Sequence, residues 1–247
     1  MKVSKAQKDE IRKKLLKSAV DLFSAKGFNA ATMREISTNA GYSPGTIYSY
    51  FPNKEKIFFA YFDEKQRAVF STIDEMEAFS TFTLKEKLQT LLEIQLEIYL
   101  DEREFVETTF KAILDSPMKT FTELMPTKAQ FVRAVVSYFQ QAEAQNEIPS
   151  QPFSGFIANL FWDYKNVMVL YWLRDQSVGF TQTTRLIDGS LDLFIAMIQS
   201  GVVTKAADLA GFLIKSHLFG NIDKLTELMG LVSAVGNPFA KEKIDEP

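Results

Sequence analysis

Residues 32–54, reading TMREISTNAGYSPGTIYSYFPNK, constrain this chain more than any other stretch. Thr32 is a helix N-cap, and Glu35, three residues on, completes a capping box. Met33, Ile36 and Ala40 follow at helical spacing, and Gly41 stops the helix. Ser43-Pro44 starts a second helix, with serine at the cap and proline at the first helical position. Ile47, Tyr48 and Phe51 continue it until Pro52. Two short helices joined by a turn containing glycine make a helix-turn-helix, which lays its second helix in the DNA major groove.

A net charge of −3 looks wrong for a DNA binder, but the charge is divided. Residues 1–56 hold 11 Lys/Arg against 5 Asp/Glu, and the remainder holds 17 against 26. A basic N-terminal segment on an acidic body is a local electrostatic footprint, or else a solvated helix face. Residues 1–8 read as a basic arm. From Asp9 to Ala25, Ile11, Leu15, Ala19, Leu22 and Phe23 recur at helical spacing, with Lys13, Lys14 and Lys17 on the polar side.

The rest of the chain predicts helix after helix, and nothing shows the sustained alternation of a strand. A long helix opens at Asn53-Lys54 and runs through Phe58, Phe62, Val69 and Ile73 to about Phe79. Thr83 caps the next. A short helix from Phe105 ends at Pro117, and another spans 127–146. Further helices cover 154–175, 181–200, 204–219 and 221–235, with a polar tail from Asn237. The expected fold is all-α, with a helix-turn-helix DNA-binding part at 1–54 and a helical body at 55–247. No Gly/Ser linker separates them, so the two should move as coupled rigid pieces.

Several chemistries are excluded. There is no cysteine and one histidine, which removes disulfides and thiolate or histidine-rich metal sites. No cofactor or metal is expected. No apolar run approaches the length of a membrane span, the longest being residues 167–173, and the lysine-rich start lacks a signal-peptide core. A cytoplasmic protein without membrane contact is expected. A Ser-His-Asp arrangement could use only His217, so an enzyme is not expected. His217 reads as a structural residue or a partner of a helix C-terminus.

A helix in the major groove needs small side chains at its leading end. Ser43, Pro44, Gly45 and Thr46 meet this, while Tyr48, Ser49 and Tyr50 can reach phosphates or a thymine methyl. Lys54, at the start of the next helix, is placed for a phosphate. Thr32 and Arg34 are placed for the DNA backbone.

Residues 8–68, with the motif at 31–51, resemble the DNA-binding domain of the TetR (tetracycline repressor) family of bacterial regulators. The resemblance rests on Ala19, Leu22-Phe23, Gly27-Phe28, Thr32-Met33-Arg34-Glu35-Ile36, Ala40-Gly41, Gly45-Thr46-Ile47-Tyr48 and Tyr50-Phe51-Pro52-Asn53-Lys54-Glu55. It implies an all-helical homodimer that binds a palindromic operator in double-stranded DNA and usually represses. It also implies a small-molecule pocket in the C-terminal domain. By position, Thr46, Tyr48, Tyr50 and Lys54 match the family's DNA contacts. Tyr42 stands where a small aliphatic residue is expected.

The resemblance does not give the effector site. Leu84, Leu88, Leu91, Gln95 and Tyr99 share one helix stripe, so Gln95 is either a polar anchor in a cavity or a rim residue bonded to backbone. Tyr99, Phe110, Phe131, Tyr138, Phe161 and Trp162 are candidate pocket lining, or core. Lys165 lies in an apolar helix, on a solvated face or paired with Asp163 or Asp192. Residues 154–175 and 181–200 are apolar on more than one side. Together with the resemblance, this makes Tyr171, Trp172, Leu191 and Phe194 candidate dimer contacts.

The leading expectation is a DNA-binding repressor released from its operator by a small apolar or amphipathic effector. The alternative is a DNA-bound protein whose body docks another protein and has no small-molecule switch.

Overall fold

The structure, a computed structural model, describes residues 4–115 and 117–202 with Lys205 and Leu209, and their side chains outside 111–123. The chain divides into two compact units, Met1–Ala196 and Met197–Pro247, and the description below concerns the first. His217 and the helices expected beyond 204 lie outside the described residues.

Among the described residues there are eight α-helices and no strand. They are α1 (Lys5–Lys26), α2 (Met33–Asn39), α3 (Lys54–Asp74), α4 (Leu84–Leu100), α5 (Arg103–Asp115), α6 (Pro117–Ala144), α7 (Ser154–Trp172) and α8 (Thr181–Gln199). α1 packs on α2, α3 and α5; α3 packs on α4 and α6; and α6 packs on α7.

α1 begins four residues earlier than the periodicity suggests, so Lys5 and Lys8 belong to a helix and not to an arm. The cause is a second capping box. Gln7 N–H donates to Ser4 Oγ at 3.2 Å, and Ser4 N–H donates to Gln7 Oε1 at 2.9 Å. Leu15, Leu16, Ala19, Val20 and Phe23 form the buried face of α1.

α2 is capped as expected. Glu35 N–H donates to Thr32 Oγ1, and Thr32 N–H and Oγ1 both donate to Glu35 Oε2. Lys26 closes on the other carboxylate oxygen at 2.6 Å. The lysine and the threonine donors hold the Glu35 carboxyl down at about 2. A group with a depressed folded pKa stabilises above its unfolded value and loses that contribution as pH falls through the folded one. Stability from this corner is therefore lost between about pH 4.5 and 2. Thr32→Ala should cost about 1 kcal/mol in a urea melt at pH 7 and blunt the acid transition in that window. An unchanged acid limb would show that the corner carries no stability.

At the other end of α2, Tyr42 N–H reaches Ser37 O and Gly41 N–H reaches Thr38 O. This is a Schellman ending, which needs the positive φ of 82° that Gly41 supplies. In this ending the residue after the glycine packs back on the helix, and Tyr42 lies half-buried against the core. That accounts for a large residue at a position where a small one was expected.

The second helix of the motif is shorter than expected. Instead of a helix from Ser43, the chain makes turns and then one 3₁₀ turn at Ile47–Ser49. The Ser43 and Thr46 hydroxyls bond each other at 2.9 Å, so neither caps the next amides. Pro44 brings no N–H, and Gly45 is a poor helix former. Ile47 and Phe51, both buried, pin the segment to the core.

α3 starts at Asn53, whose Oδ1 accepts from Lys56 N–H, and it ends at Asp74, short of the expected Phe79. α6 differs most. Its first residue is Pro117, which was read as a terminator, and it runs through Pro126. Proline at the first position needs no N–H, whereas Pro126 forgoes one bond of the ladder.

Aromatic rings form a continuous chain through the core. Phe28 packs on Phe23 of α1, and Phe23 stacks on Phe105 of α5 at 6.0 Å. Phe105 meets Tyr61 of α3 edge-on at 4.5 Å, and Tyr61 touches Phe62. Phe62 then meets Tyr99 and Phe110. The Tyr61 hydroxyl donates to Glu102, which also holds Lys65 at 2.6 Å.

Candidate functional site

The N-terminal face presents most of the residues expected at DNA. Ser43, Pro44, Gly45, Ser49, Thr32 and Arg34 are exposed, and Thr46 and Tyr50 are half-buried. Tyr48 is 57% exposed although it neighbours the fully buried Ile47. A Cβ built on Gly45 meets nothing within 4 Å, and its φ is not in the left-handed region. The fold therefore does not require glycine there. Lys5, Lys8, Lys13 and Lys17 line the exposed side of α1.

Lys54 is engaged within the protein. Its ammonium donates to Phe28 O at 2.8 Å and Asn29 O at 3.1 Å, and sits 4.9 Å from the Phe28 ring centre. It ties the start of α3 to the α1–α2 loop. Replacing it would loosen this joint as well as remove a charge.

A cavity of about 390 Å³ lies within the body helices. α3 contributes Phe62 and Gln66, α4 Tyr99, and α5 Phe110; α6 contributes Leu124, Thr127 and Lys128. α7 supplies Trp162, Asp163, Lys165, Asn166 and Leu170. Of the residues expected to line a pocket, Tyr99, Phe110 and Trp162 do so. Phe131 and Phe161 stack on each other behind Trp162, and Tyr138 packs on Phe79. Gln95 is buried with both amide atoms unpaired, but it is not in the cavity wall.

Lys165 and Gln66 were not anticipated. Lys165 is 5% exposed, not on a solvated face. It pairs with neither expected carboxylate, since Asp192 is held by Lys85 and Asp163 lies 3.9 Å from Lys128. Its Nζ rests 3.6 Å from the Trp162 ring centre and 5.4 Å from that of Phe131. Burial pulls its pKa down to about 7. Gln66 is 2% exposed, and its Nε2 has no hydrogen-bond partner. Position 66 does continue the buried α3 stripe of 58, 62, 69 and 73, which is the one signal that could have found it.

Trp172 and Leu191, named as dimer contacts, sit inside the core, and Phe194 is half-buried. Arg103 explains Trp172: its guanidinium stacks on that ring and on Phe180, and donates to the carbonyls of Trp172, Leu173 and Asp175. The exposed face of α7 carries Phe156, Leu160, Val167 and Tyr171, and that of α8 carries Leu186 and Leu193. Among the described residues, no His/Cys/Asp/Glu group has metal-site geometry, and no helix is long and apolar enough to cross a membrane.

Residues 15–61 match the model for bacterial regulatory proteins of the tetR family, and residues 87–213 match the tetracyclin repressor-like C-terminal domain. The chain belongs to the TetR family. Proteins of this family are DNA-binding transcriptional regulators, not enzymes. The HTH-type transcriptional repressor NicS of Pseudomonas putida is 44% identical over 52 residues, covering 21% of this chain and 24% of that protein. The chain spans only about a quarter of the length of the curated relatives it matches first. A TetR-family regulator from Syntrophomonas wolfei superposes with a TM-score of 0.65 at 17% identity, covering 77% of this chain and 97% of that one. The FadR regulator of Bacillus subtilis, solved with stearoyl-CoA, gives 0.59 at 19% identity over 76% and 97%. These likenesses establish the TetR fold.

Proposed function

We propose that this regulator is a cytoplasmic repressor. It binds a palindromic operator as a homodimer through residues 1–54 and is released when a small apolar or amphipathic molecule enters the cavity of the body, residues 55–247. The observation that carries this reading is the aromatic spine. Phe62, Tyr99 and Phe110 wall the cavity, and the same chain of rings continues through Tyr61 and Phe105 to Phe23 on α1. A molecule that favours one arrangement of the cavity wall thereby favours one setting of α1 and α3. Only differential affinity for the two settings can shift their populations. Two half-sites must lie about 34–36 Å apart for both recognition segments to engage, so a change in α3 tilt disengages one of them.

The exposed apolar face of α7 and α8 supports the homodimer. Were this face to dock another protein instead, the chain would be monomeric in light scattering at micromolar concentration.

The DNA contacts proposed are Tyr48, Gly45 and their neighbours Thr32, Arg34, Ser43, Pro44, Thr46, Ser49, Tyr50 and Lys54. On DNA selected by the protein from a random-sequence pool, Tyr48→Ala and Gly45→Leu should each weaken binding by about tenfold or more. Both should melt within about 0.5 kcal/mol of the parent, because neither side chain serves the core. The log–log salt slope should be steep, near −0.9 per phosphate neutralised. Unchanged affinity in both variants would remove the assigned surface. For the switch, an organic extract of bacterial cells should release the protein from that DNA in an anisotropy assay. Leu170→Trp, which fills the cavity, should abolish the release. Failure of any extract to release the DNA would leave a regulator without a small-molecule switch.

A further inference from the structure

We infer that the cavity selects a small apolar carboxylate, whose acid group is received by the Lys165 ammonium and the Gln66 amide while its body lies among the aromatic rings. This rests on the reading of the cavity as the effector site.

The inference starts from two donors. Both Lys165 and Gln66 line the cavity, and both are more than nine-tenths buried. Among the described residues Gln66 Nε2 has no acceptor. Lys165 has ring faces beside it, and among the described residues it pairs with no carboxylate: Asp192 serves Lys85, and Asp163 lies 3.9 Å from Lys128. A cation–π contact offsets only part of the cost of burying an ammonium. Unpaired buried donors cost stability. Gln95 is unpaired as well but lies away from the cavity, whereas the Gln66 amide shares the cavity wall with a buried ammonium, where a ligand can complete both. A neutral alcohol could satisfy Gln66 but not the charge. An amine would place a second cation beside the first. A carboxylate supplies two acceptor oxygens and the missing negative charge.

The other charged groups at the cavity leave this assignment intact. Lys128 and Asp163 lie 3.9 Å apart, and Asp163 is largely in solvent, so that pair marks the rim. Burial pushes the Tyr99 phenol up, so it remains neutral. The remaining wall is Phe62, Phe110, Leu124, Trp162 and Leu170 with the neutral polar Thr127 and Asn166, a mostly apolar lining that suits a hydrocarbon or aryl body. About 390 Å³ is at the lower end of the range for small-molecule sites.

The test uses two matched sets of probes: decanoate, decanol and decylamine, and 4-phenylbutanoate, 4-phenylbutanol and 4-phenylbutylamine. Binding to the intact dimer is read by tryptophan fluorescence, since Trp162 lies in the wall, and by calorimetry. The expected result is that in at least one set the acid binds tenfold or more tightly than the alcohol, and the amine least. Lys165→Met should weaken the acid by tenfold or more and leave the alcohol within about twofold. Gln66→Leu should weaken the acid by a smaller factor. An alcohol or amine that matches the acid in both sets overturns the inference, as does an acid indifferent to Lys165→Met or the absence of binding by all six. Release of operator DNA by cell extract is scored separately. Extract release with no preference for the acids therefore rejects the carboxylate while leaving the effector reading in place.

Discussion

Replacing Lys165 with methionine raises the melting temperature of the empty protein at pH 7, and the gain shrinks as the pH is raised toward 10. Burial holds the folded pKa of Lys165 near 7, against an ordinary value of 10.5. Between those values the unfolded chain binds a proton that the folded chain has released. Stability therefore rises with pH across that window, and the penalty of the buried charge is fully present below it. Methionine has a similar length, fills the space over Trp162 and carries no charge. Removal of a poorly compensated buried charge in favour of an apolar residue is worth roughly 1–4 kcal/mol. At about 2–4 °C per kcal/mol for a protein of this size, the shift is readily seen in a thermal scan. Comparing the two proteins across pH cancels every contribution they share. A variant that melts no higher than the parent at pH 7, or whose pH profile runs parallel to it, would mean that Lys165 is compensated by something other than a ligand.

Phe105→Ala should be the most damaging single change in the spine. Phe105 is 2% exposed and lies between Phe23 of α1 and Tyr61 of α3. Loss of a buried phenylalanine costs about 3–5 kcal/mol, a large share of the 5–15 kcal/mol that holds a domain together. A urea melt reads this directly. Phe105→Leu keeps most of the volume and is the informative variant. It should bind operator DNA and cavity ligands with near-parental affinity but lose much of the ligand-induced release. A double-mutant cycle of Phe105→Leu with Phe23→Leu should show a coupling of about 0.5–1.5 kcal/mol, the size of an aromatic pair. Strict additivity together with full release would mean that signal and spine are unrelated.

The DNA-facing half was legible in the sequence because its determinants are local. Thr32 with Glu35, and Gly41 with the residue after it, act within one turn of chain, so spacing alone locates α2 and its end. The 3₁₀ turn at 47–49 was missed because the Ser43 and Thr46 hydroxyls bond each other, a choice that residue type does not reveal. The cavity was only partly legible. Whether Phe110 lines a void and Phe161 does not depends on how α5, α6 and α7 meet, and helical periodicity is the same for both. Lys165 lies between apolar neighbours on α7, but its isolation is created by Lys85 and Lys128, which claim the nearby carboxylates. α7 is apolar on two sides, and no count of spacings could tell that Trp172 turns inward to Arg103 while Leu160 and Val167 turn out.

The open space around Gly45 bears on how such a regulator changes over generations. The recognition segment is anchored by Ile47 and Phe51 with Tyr50 packed beside them, while Ser43, Gly45 and Tyr48 are exposed and take no part in the core. Substitutions at 43, 45 and 48 can then be sampled with little loss of foldedness, and on the proposed reading each would alter which base edges are met. Inherited variation would then retarget the proposed operator contacts without compensating changes elsewhere, whereas the ligand preference inferred for buried Lys165 and Gln66 would be far harder to shift one residue at a time.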